Sequence, residues 1–381
     1  MKEKRIKVIH AALVLCFLCV LLSACTTKTV LDDLDRFVGG DAGGPETEGL
    51  TAAQQALAML PQKLIKVGFV QVGHESDWRI AATKSCQEAF SAENGYELYF
   101  VDADNDPKVQ VEAVRNFIKE QVDYIVIDPI LTTGWTAVLK EAYHAHIPVI
   151  VLDRTIDCKD KYYTAWFGSD FVREGEWAGE WLQMYLKRQG REFEKIHIVT
   201  INGTQGASAQ IGRTEGFARY LEKNSNWELL AQECGDFTES GGRAVMEEYL
   251  QAYPKIDVVV CQNDNEAFGA CAALEEAGVP YGTDAAQDGG IIVISFDATR
   301  AGLQAVLDGK IHADFECNPL SPPYAAEAIR RLEAGEVLKE KDYYLPEDCF
   351  TADGEPMTLM IDFETKKMVT VTKELLKERE Y

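Results

Sequence analysis

Short apolar runs alternate with longer amphipathic segments along most of the chain after residue 63. Continuous apolar runs of this length are typical of strands that are buried on both faces. They fall at residues 65–70, 97–101, 124–127, 148–152, 196–201, 229–232, 258–261 and 291–296. Amphipathic segments of helical length fall at residues 78–94, 106–121, 134–146, 174–189, 209–224, 242–253 and 266–277. This alternation predicts an α/β fold in which helices cover both faces of parallel sheets.

The N-terminus has the pattern of a secretory signal. Residues 2–7 are mostly basic, and residues 8–22 are almost wholly apolar. That run is shorter than the roughly 20 residues of a bilayer-spanning helix, and small residues follow it, as in a signal peptide. The four residues that end at Cys25 resemble a bacterial lipobox, which implies cleavage and lipidation at Cys25. We expect residues 1–24 to be a lipoprotein signal peptide; an uncleaved anchor helix is the alternative, and both place the remainder outside the cytoplasm.

Residues 25–63 differ from the rest of the chain in composition. They are rich in acidic residues and glycine and lack the sustained apolar period of a folded domain, so we expect a flexible tether. The whole chain carries a formal net charge of −24. Because so acidic a surface repels phosphate backbones, the composition argues against binding to nucleic acid.

Polar and aromatic side chains collect where six of the predicted strands end. In open α/β sheets, ligands bind outside the carboxyl ends of the strands, so these side chains are candidates for one binding site. They comprise three carboxylates, three guanidinium groups, an amide and two aromatic rings: Asp153, Asp236, Asp297, Arg79, Arg154, Arg213, Asn263, Trp78 and Phe237.

This set of groups suits a sugar. Carboxylates accept hydrogen bonds from hydroxyl groups, guanidinium groups donate them, and an amide does both. Aromatic rings pack against the apolar faces of a sugar. Balanced positive and negative groups allow a neutral polyol to bind without leaving a charge unpaired. Surface salt bridges and helix caps are the alternative explanation for the same residues.

Several stretches are similar to the ribose and galactose type of periplasmic sugar-binding proteins, the substrate-binding subunits of ABC importers, and most of all to their galactofuranose-binding members. The similarity runs from residue 65 to about residue 345. It rests on residues 67–79 (VGFVQVGHESDWR), 147–154 (IPVIVLDR), 203–208 (GTQGAS) and 235–238 (GDFT).

The resemblance implies a type I periplasmic binding protein fold. Two similar doubly wound parallel-sheet lobes are joined by a three-strand hinge, with ligand bound between them. We expect the crossings near Gly168, Asn318 and Leu345. The N-terminal lobe would then hold residues 64–168 and 318–345. The C-terminal lobe and tail would hold residues 169–317 and 346–381.

The resemblance also implies ligand contacts at individual positions. These are Glu75, Trp78, Arg79, Asp153, Arg154, Arg213, Phe237, Asn263, Asp297 and Glu316. Glu316 resembles the glutamate of the galactofuranose-binding members. The glutamine with which ribose binders close the site near Cys317 is absent, so the resemblance makes ribose a less suitable ligand. The preferred sugar itself stays open at this point.

The expected function is binding rather than catalysis. Arg154 would hold Asp153 ionised and deny it the role of a glycosidase acid. We expect a monomeric receptor that binds a monosaccharide and delivers it to an ABC transporter permease, held at the membrane by the lipid on Cys25. A sensor that presents a sugar to a membrane receptor or kinase is the alternative. The sequence predicts no cofactor and no metal site, since residues 102–106 resemble a calcium loop that lacks its glycine and its final glutamate.

Overall fold

The computed structural model describes residues 63–285 and 289–381. The predicted signal peptide, Cys25 and all but the last residue of the predicted tether lie outside this part of the chain. Within residues 63–285 and 289–381, no helix combines the length and the apolar composition that are needed to cross a bilayer.

Strands and helices alternate through the described chain. The strands are β1 (Ile65–Gln71), β2 (Tyr96–Asp102), β3 (Tyr124–Ile127), β4 (Val149–Leu152), β5 (Ala165–Gly168), β6 (Ile196–Asn202), β7 (Trp227–Cys234), β8 (Val258–Cys261), β9 (Ile292–Asp297), β10 (Ala313–Glu316), β11 (Asp342–Tyr344), β12 (Cys349–Thr351), β13 (Thr358–Ile361), β14 (Glu364–Lys367) and β15 (Val369–Thr370). The helices are α1 (Asp77–Ala89), α2 (Pro107–Lys119), α3 (Thr136–His144), α4 (Phe171–Arg188), α5 (Ser208–Lys223), α6 (Glu239–Ala252), α7 (Asp264–Ala277), α8 (Arg300–Leu307), α9 (Pro322–Glu333) and α10 (Lys373–Glu378).

Every predicted strand overlaps an observed one, but the pattern does not predict β5 or any of the strands from β10 to β15. The strands β5 and β10 have four residues each, and β10 contains two acidic side chains, Asp314 and Glu316, so its apolar run is broken. The helix that was predicted over residues 78–94 ends at Ala89. A short 3₁₀ helix follows it, and Gly95 then turns the chain in the left-handed conformation with φ 91°.

Two sheets form the two halves of the molecule. The first has the strand order β11-β5-β4-β3-β1-β2, with every pairing parallel. The second has the order β15-β12-β10-β9-β8-β6-β7, in which β10 and β12 pair antiparallel and the other pairings are parallel. A separate hairpin joins β13 to β14. This architecture confirms the predicted α/β fold of two doubly wound lobes.

Apolar side chains cover both faces of each sheet. In the first sheet, Phe69 and Phe167 belong to the cluster on one face, and Ile125 and Val151 belong to the cluster on the other. All four residues of β3 are buried. Burial on both faces explains the continuous apolar runs in the sequence, because helices lie on each side of a parallel sheet.

The chain passes between the two sheets three times. The first passage follows Gly168 at the end of β5, the second follows Glu316 at the end of β10, and the third follows Tyr344 at the end of β11. Helix α9 packs with the first sheet after the second passage. We therefore propose that the lobes have the boundaries expected from the sequence, with residues 64–168 and 318–345 in the first lobe and residues 169–317 and 346–381 in the second.

Helices α4 and α5 approach each other closely through glycines. A Cβ atom added to Gly216 would lie 2.0 Å from the carbonyl oxygen of Val172, and one added to Gly175 would lie 2.3 Å from the carbonyl oxygen of Arg213. Only a residue without a side chain allows backbones this close. The contact fixes the helix turn that carries Arg213, whose side chain reaches the candidate site.

His312 is a buried histidine in the second lobe. Its Nδ1 accepts a hydrogen bond from the main-chain N–H of Val293 at 3.1 Å, and its ring packs edge-on against Tyr185. Its Nε2 has no hydrogen-bond partner within the described residues. Burial lowers the pKa of His312 from 6.5 to about 3, so the ring is neutral in the folded protein at neutral pH.

This buried histidine predicts a loss of stability in acid. Below the unfolded pKa of 6.5 the unfolded chain takes up a proton at this position, whereas the folded protein does not until about pH 3. Between these two pKa values, the free energy of unfolding falls by up to about 1.4 kcal/mol for each unit by which the pH is lowered. We expect His312→Asn, whose side-chain oxygen still accepts from Val293, to reduce the fall in unfolding free energy between about pH 7 and about pH 4.5. Urea denaturation at both pH values measures the free energy of unfolding of the wild-type protein and of the variant. An equal fall in the two proteins would contradict the prediction.

Candidate ligand-binding site

The side chains that follow the strands meet in a closed space between the two sheets. A pocket with an empty volume of about 280 Å³ lies there. Its lining residues are Glu75, Ser76, Trp78, Arg79, Asp153, Arg154, Ala209, Arg213, Phe237, Asn263, Asp297 and Cys317. The predicted residues from both sheets therefore converge on one pocket, as the strand topology implies.

The two halves contact each other around this pocket. The main-chain N–H of Asp77 donates to the side-chain oxygen of Asn265 at 3.1 Å. The Nε1 of Trp78 donates to the carbonyl oxygen of Cys317 at 2.6 Å. On the opposite side of the pocket, the N–H of Thr155 donates to the hydroxyl of Ser208 at 2.9 Å. The structure is therefore a closed conformation.

Arg79 organises the half of the pocket that belongs to the first sheet. Its guanidinium group is 2% exposed and contacts three carboxylates: Glu75 at 3.0 Å, Asp153 at 3.4 Å, and Asp128. Burial alone would raise the pKa of Glu75, but Arg79 and Arg154 outweigh burial and hold it below its ordinary value. Glu75 is therefore ionised at neutral pH. Its Oε2 atom is buried and has no hydrogen-bond partner among the described residues, so it is free to accept a hydrogen bond from a ligand.

Arg213 has the corresponding role in the half that belongs to the second sheet. It is 2% exposed, and its guanidinium group contacts Glu174 at 2.6 Å and Asp297 at 3.3 Å. It also donates to the carbonyl oxygen of Gln262 and lies over the ring of Phe296, 4.9 Å from its centre. Such a set of contacts leaves the guanidinium little freedom to move, so its position is fixed before a ligand arrives.

Arg154 and Phe237 bring the two halves together. The guanidinium group of Arg154 lies 5.1 Å from the centre of the Phe237 ring, and its Nη1 donates to the carbonyl oxygen of Ile130 at 3.1 Å. Burial lowers the pKa of Arg154, and the charge of Arg79 lowers it further. The pocket thus brings three guanidinium groups together with the carboxyl groups of Glu75, Asp153 and Asp297. Burial raises the pKa of Asp297 well above its ordinary value, and such a mixture of donors and acceptors suits a neutral ligand that is rich in hydroxyl groups.

Backbone conformation is unusual at four positions around the pocket. Asp153, Asp236, Phe237 and Asp297 have φ angles of 57°, 59°, 58° and 101°. Positive φ is uncommon for residues other than glycine. A residue that is held in a sparsely populated backbone region costs the folded state of order 1–3 kcal/mol, and such residues cluster at functional sites. Asp297 is the last residue of β9, and the other three residues lie in the segments that follow β4 and β7, so the conformation aims side chains from the ends of strands.

Nine of the eleven predicted ligand-binding residues line the pocket, and two, Asp236 and Glu316, lie outside it. Asp236 accepts a hydrogen bond from the hydroxyl of Thr204 at 2.6 Å and is absent from the lining, although its neighbour Phe237 is present.

Asn263 lines the pocket but uses its side-chain oxygen to cap α7. Its amide also donates to the carbonyl oxygen of Phe237 at 3.0 Å, so much of its hydrogen-bonding capacity serves the protein.

Glu316 points away from the pocket. One of its oxygens contacts Arg379 at 2.7 Å and accepts from the hydroxyl of Tyr381, and the other accepts from the N–H of Asp348 at 2.6 Å. Successive side chains of a strand alternate between faces, and the next residue, Cys317, takes the position in the pocket.

The sequence did not predict Ser76, Ala209 or Cys317 as lining residues. Cys317 directly follows β10, so it carried the same signal as the other strand ends, but β10 itself was not predicted. Ser76 and Ala209 lie at the N-termini of α1 and α5. Ser76 caps α1 through its hydroxyl, which accepts from the N–H of Arg79. The cap orients the first turn of α1, which carries Trp78 and Arg79.

Comparisons with known proteins agree with this geometry. A sequence profile of the periplasmic binding protein domain matches residues 67–326. The galactofuranose-binding protein YtfQ of Escherichia coli is 34% identical over 296 residues, which are 77% of this chain and 89% of that protein.

Solved structures give the same result. A crystal structure from Mycobacterium smegmatis in complex with β-D-fucofuranose has 41% sequence identity and a TM-score of 0.70, and the match covers 75% of this chain and 91% of that one. The binding component of the arabinose ABC transporter from Shewanella sp. ANA-3, bound to α- and β-L-arabinofuranose, has 35% identity and a TM-score of 0.69, with the same coverage. The chain therefore belongs to the periplasmic binding protein family.

Proposed function

We propose that this protein binds a monosaccharide between its lobes and delivers it to an ABC-type importer. The observation that carries the proposal is the pocket between the two sheets, which is lined by three arginines and by the carboxyl groups of Glu75, Asp153 and Asp297. Charge-assisted hydrogen bonds of this kind contribute about 1.5–3 kcal/mol each, so a few of them support micromolar binding.

A furanose is the ring form that the relatives favour. YtfQ is named for galactofuranose, and the two structures described above contain fucofuranose and arabinofuranose. We infer that galactofuranose, galactose or a related sugar is the ligand. The unpartnered Glu75 Oε2 supports a ligand that donates hydrogen bonds, as a sugar hydroxyl does.

The pocket is suited to binding and not to turnover. Arg79 and Arg154 hold the pKa of Glu75 below its ordinary value, which does not suit Glu75 to the role of a glycosidase acid. The relatives reported above are named as binding proteins. We therefore infer that ligand leaves this pocket unchanged.

The signal pattern at the N-terminus supports an address outside the cytoplasm. We infer that the mature chain is held at the membrane by a lipid on Cys25, with residues 25–63 as the tether. The anchor would keep the protein near a permease, which raises the local concentration of receptor at the importer.

A sensory role is the second candidate. The fructose binding periplasmic domain of a hybrid two component system shares 26% identity with this chain, with a TM-score of 0.66. The same closed form could therefore be read by a kinase as well as by a permease. Deletion of the gene separates the two roles: loss of labelled sugar uptake indicates an importer, and loss of sugar-dependent gene expression with uptake intact indicates a sensor.

We expect a sugar panel to identify the ligand class. A ligand that binds only the folded state at a concentration of 100 times its Kd stabilises that state by about 2.7 kcal/mol. Galactose and arabinose, whose solutions contain furanose forms, should raise the melting temperature of the purified protein, and glucose, which is almost wholly pyranose, should not. If no monosaccharide or polyol shifts the melting temperature, the monosaccharide proposal is wrong.

A further inference from the structure

Beside the ligand pocket, each of the three chain passages between the lobes supplies one side chain of a metal-binding type. Glu174 follows the first passage in the first turn of α4, Cys317 directly follows β10, and Glu347 follows β11. One ligand atom from each of these residues lies within 4.8 Å of those of the other two. We call Glu174, Cys317 and Glu347 the hinge triad.

Glu174 and Cys317 are buried, Glu347 is partly buried, and the hydrogen bonds of Glu174 are incomplete. The side chain of Glu174 is 4% exposed, and its Oε2 accepts from Arg213 Nε at 2.6 Å. Its Oε1 is also buried and has no hydrogen-bond partner in the described part of the chain. Cys317 is 3% exposed and is a free thiol. A buried carboxylate oxygen without a partner calls for a ligand that the protein itself does not supply.

Two cationic side chains, Arg213 and Lys366, lie near the hinge triad, and both also contact groups outside it. Arg213 occupies one oxygen of Glu174 and also contacts Asp297. Lys366 donates to the carbonyl oxygen of Glu347 and lies 3.0 Å from the carboxylate of Asp348. The carboxylate of Glu347 accepts from the hydroxyl of Ser169 and from the N–H of Asn318 at 2.9 Å, and both of these donors are neutral. The negative charge of the triad is therefore only partly compensated.

Burial raises the pKa values of all three groups. It raises the pKa of Glu174 to about 7, although Arg213 opposes the effect, and it raises the pKa of Glu347 and of the Cys317 thiol well above their ordinary values. A metal ion must therefore displace protons when it binds to the triad, because metal ligands bind in their deprotonated forms.

We propose that the hinge triad binds a divalent transition-metal cation of the Zn²⁺ type. Thiolate and carboxylate groups are ordinary Zn²⁺ ligands, whereas Ca²⁺ and Mg²⁺ take oxygen ligands and do not favour a thiolate. The hydroxyl of Ser169, which lies 3.3 Å from Cys317 Sγ, or a water molecule completes a tetrahedral set. A second cavity, with an empty volume of about 940 Å³, is lined by Glu174 and Glu347 and gives the ion a route from solvent.

The location gives such an ion a mechanical role. Lobe opening turns the chain at the connecting segments. An ion bonded to all three segments would restrain them relative to one another, so the protein with Zn²⁺ should unfold at a higher temperature than the protein without it.

Titration of the reduced, full-length protein with Zn²⁺ and with Co²⁺, in the absence of sugar, tests the proposal. Zn²⁺ should raise the melting temperature, and Co²⁺ should give a thiolate-to-metal charge-transfer band. Glu347→Gln should weaken Zn²⁺ binding at least tenfold, and Cys317→Ser should remove the Co²⁺ band. Asp348→Asn, the neighbouring carboxylate outside the triad, and Cys234→Ser, an exposed thiol, are the matched controls and should leave both signals unchanged.

The proposal is wrong if Zn²⁺ does not raise the melting temperature of the wild-type protein. It is also wrong if Glu347→Gln and Asp348→Asn bind Zn²⁺ equally well, or if the Co²⁺ band disappears in Cys234→Ser and persists in Cys317→Ser. Because no sugar enters these measurements, their outcome is independent of the proposed transport function.

Discussion

Replacement of Asp153 by alanine is expected to abolish sugar binding. The Asp153 carboxylate lines the pocket and lies 3.4 Å from Arg79 and 3.9 Å from Arg154. Its removal takes away the acceptor for ligand hydroxyl groups and leaves the positive charge of the two arginines unbalanced. Loss of two charge-assisted hydrogen bonds, at about 1.5–3 kcal/mol each, corresponds to at least about a hundredfold weaker binding. Isothermal titration calorimetry with the sugar that gives the largest thermal shift measures the effect.

Asp236→Ala is the matched control for this experiment. Asp236 follows a strand and has a φ of 59°, against 57° for Asp153, so both alanine variants carry a similar backbone cost. Asp236 bonds to Thr204 and does not line the pocket. We therefore expect its variant to bind within a few-fold of the wild-type protein. Equal losses in the two variants would mean that backbone strain, and not the Asp153 carboxylate, governs binding.

Replacement of Arg213 by methionine is expected to cause the largest loss of stability. The guanidinium group is 2% exposed and compensates the buried carboxylates of Glu174 and Asp297. Methionine fills part of the volume but leaves both carboxylates without their cation. Removal of one partner from a buried ion pair typically costs about 3–5 kcal/mol. The midpoint of urea denaturation should fall accordingly.

Arg219→Met provides the comparison within the same helix. Arg219 is 45% exposed and pairs with Glu215 at the surface of α5. It also pairs with Glu176 of α4, a buried carboxylate that keeps a second cation, Arg173, at 2.9 Å. Surface ion pairs contribute about 0–1 kcal/mol, so this variant should denature close to the wild-type midpoint. If the two methionine variants lost similar stability, the buried network around Arg213 would not hold the energetic role that we assign to it.

The sequence predicts the parts of the site that depend on local order. Asp153 and Arg154 follow a continuous apolar run, so the position of a strand end identifies both residues. Trp78 and Arg79 are found in the same way, because they follow β1 in a helix that Ser76 caps. Because the strands are parallel, their carboxyl ends lie at one edge of the sheet, and this placement does not depend on contacts with distant parts of the chain.

Contacts between distant segments could not be predicted in this way. Glu316 was expected in the pocket, but Arg379 and Tyr381, which are far from it in the sequence, bind its carboxylate. The hinge triad is a similar case. Its members come from three separate passages of the chain, so no spacing of ligands appears in the sequence, and the sequence motifs predict no metal site.

The left-handed backbone at Asp153 and Asp297 has a consequence for how ligand preference evolves. Aspartate, asparagine and glycine tolerate positive φ, whereas branched and bulky residues do not. Few replacements are therefore accessible at these two positions without a cost to folding, and they should change slowly as the family diversifies. Trp78 and Ala209, which also line the pocket and have no positive φ, can accept a wider range of side chains. New specificities should therefore arise first at those walls of the pocket, while the pair of aspartates stays in place.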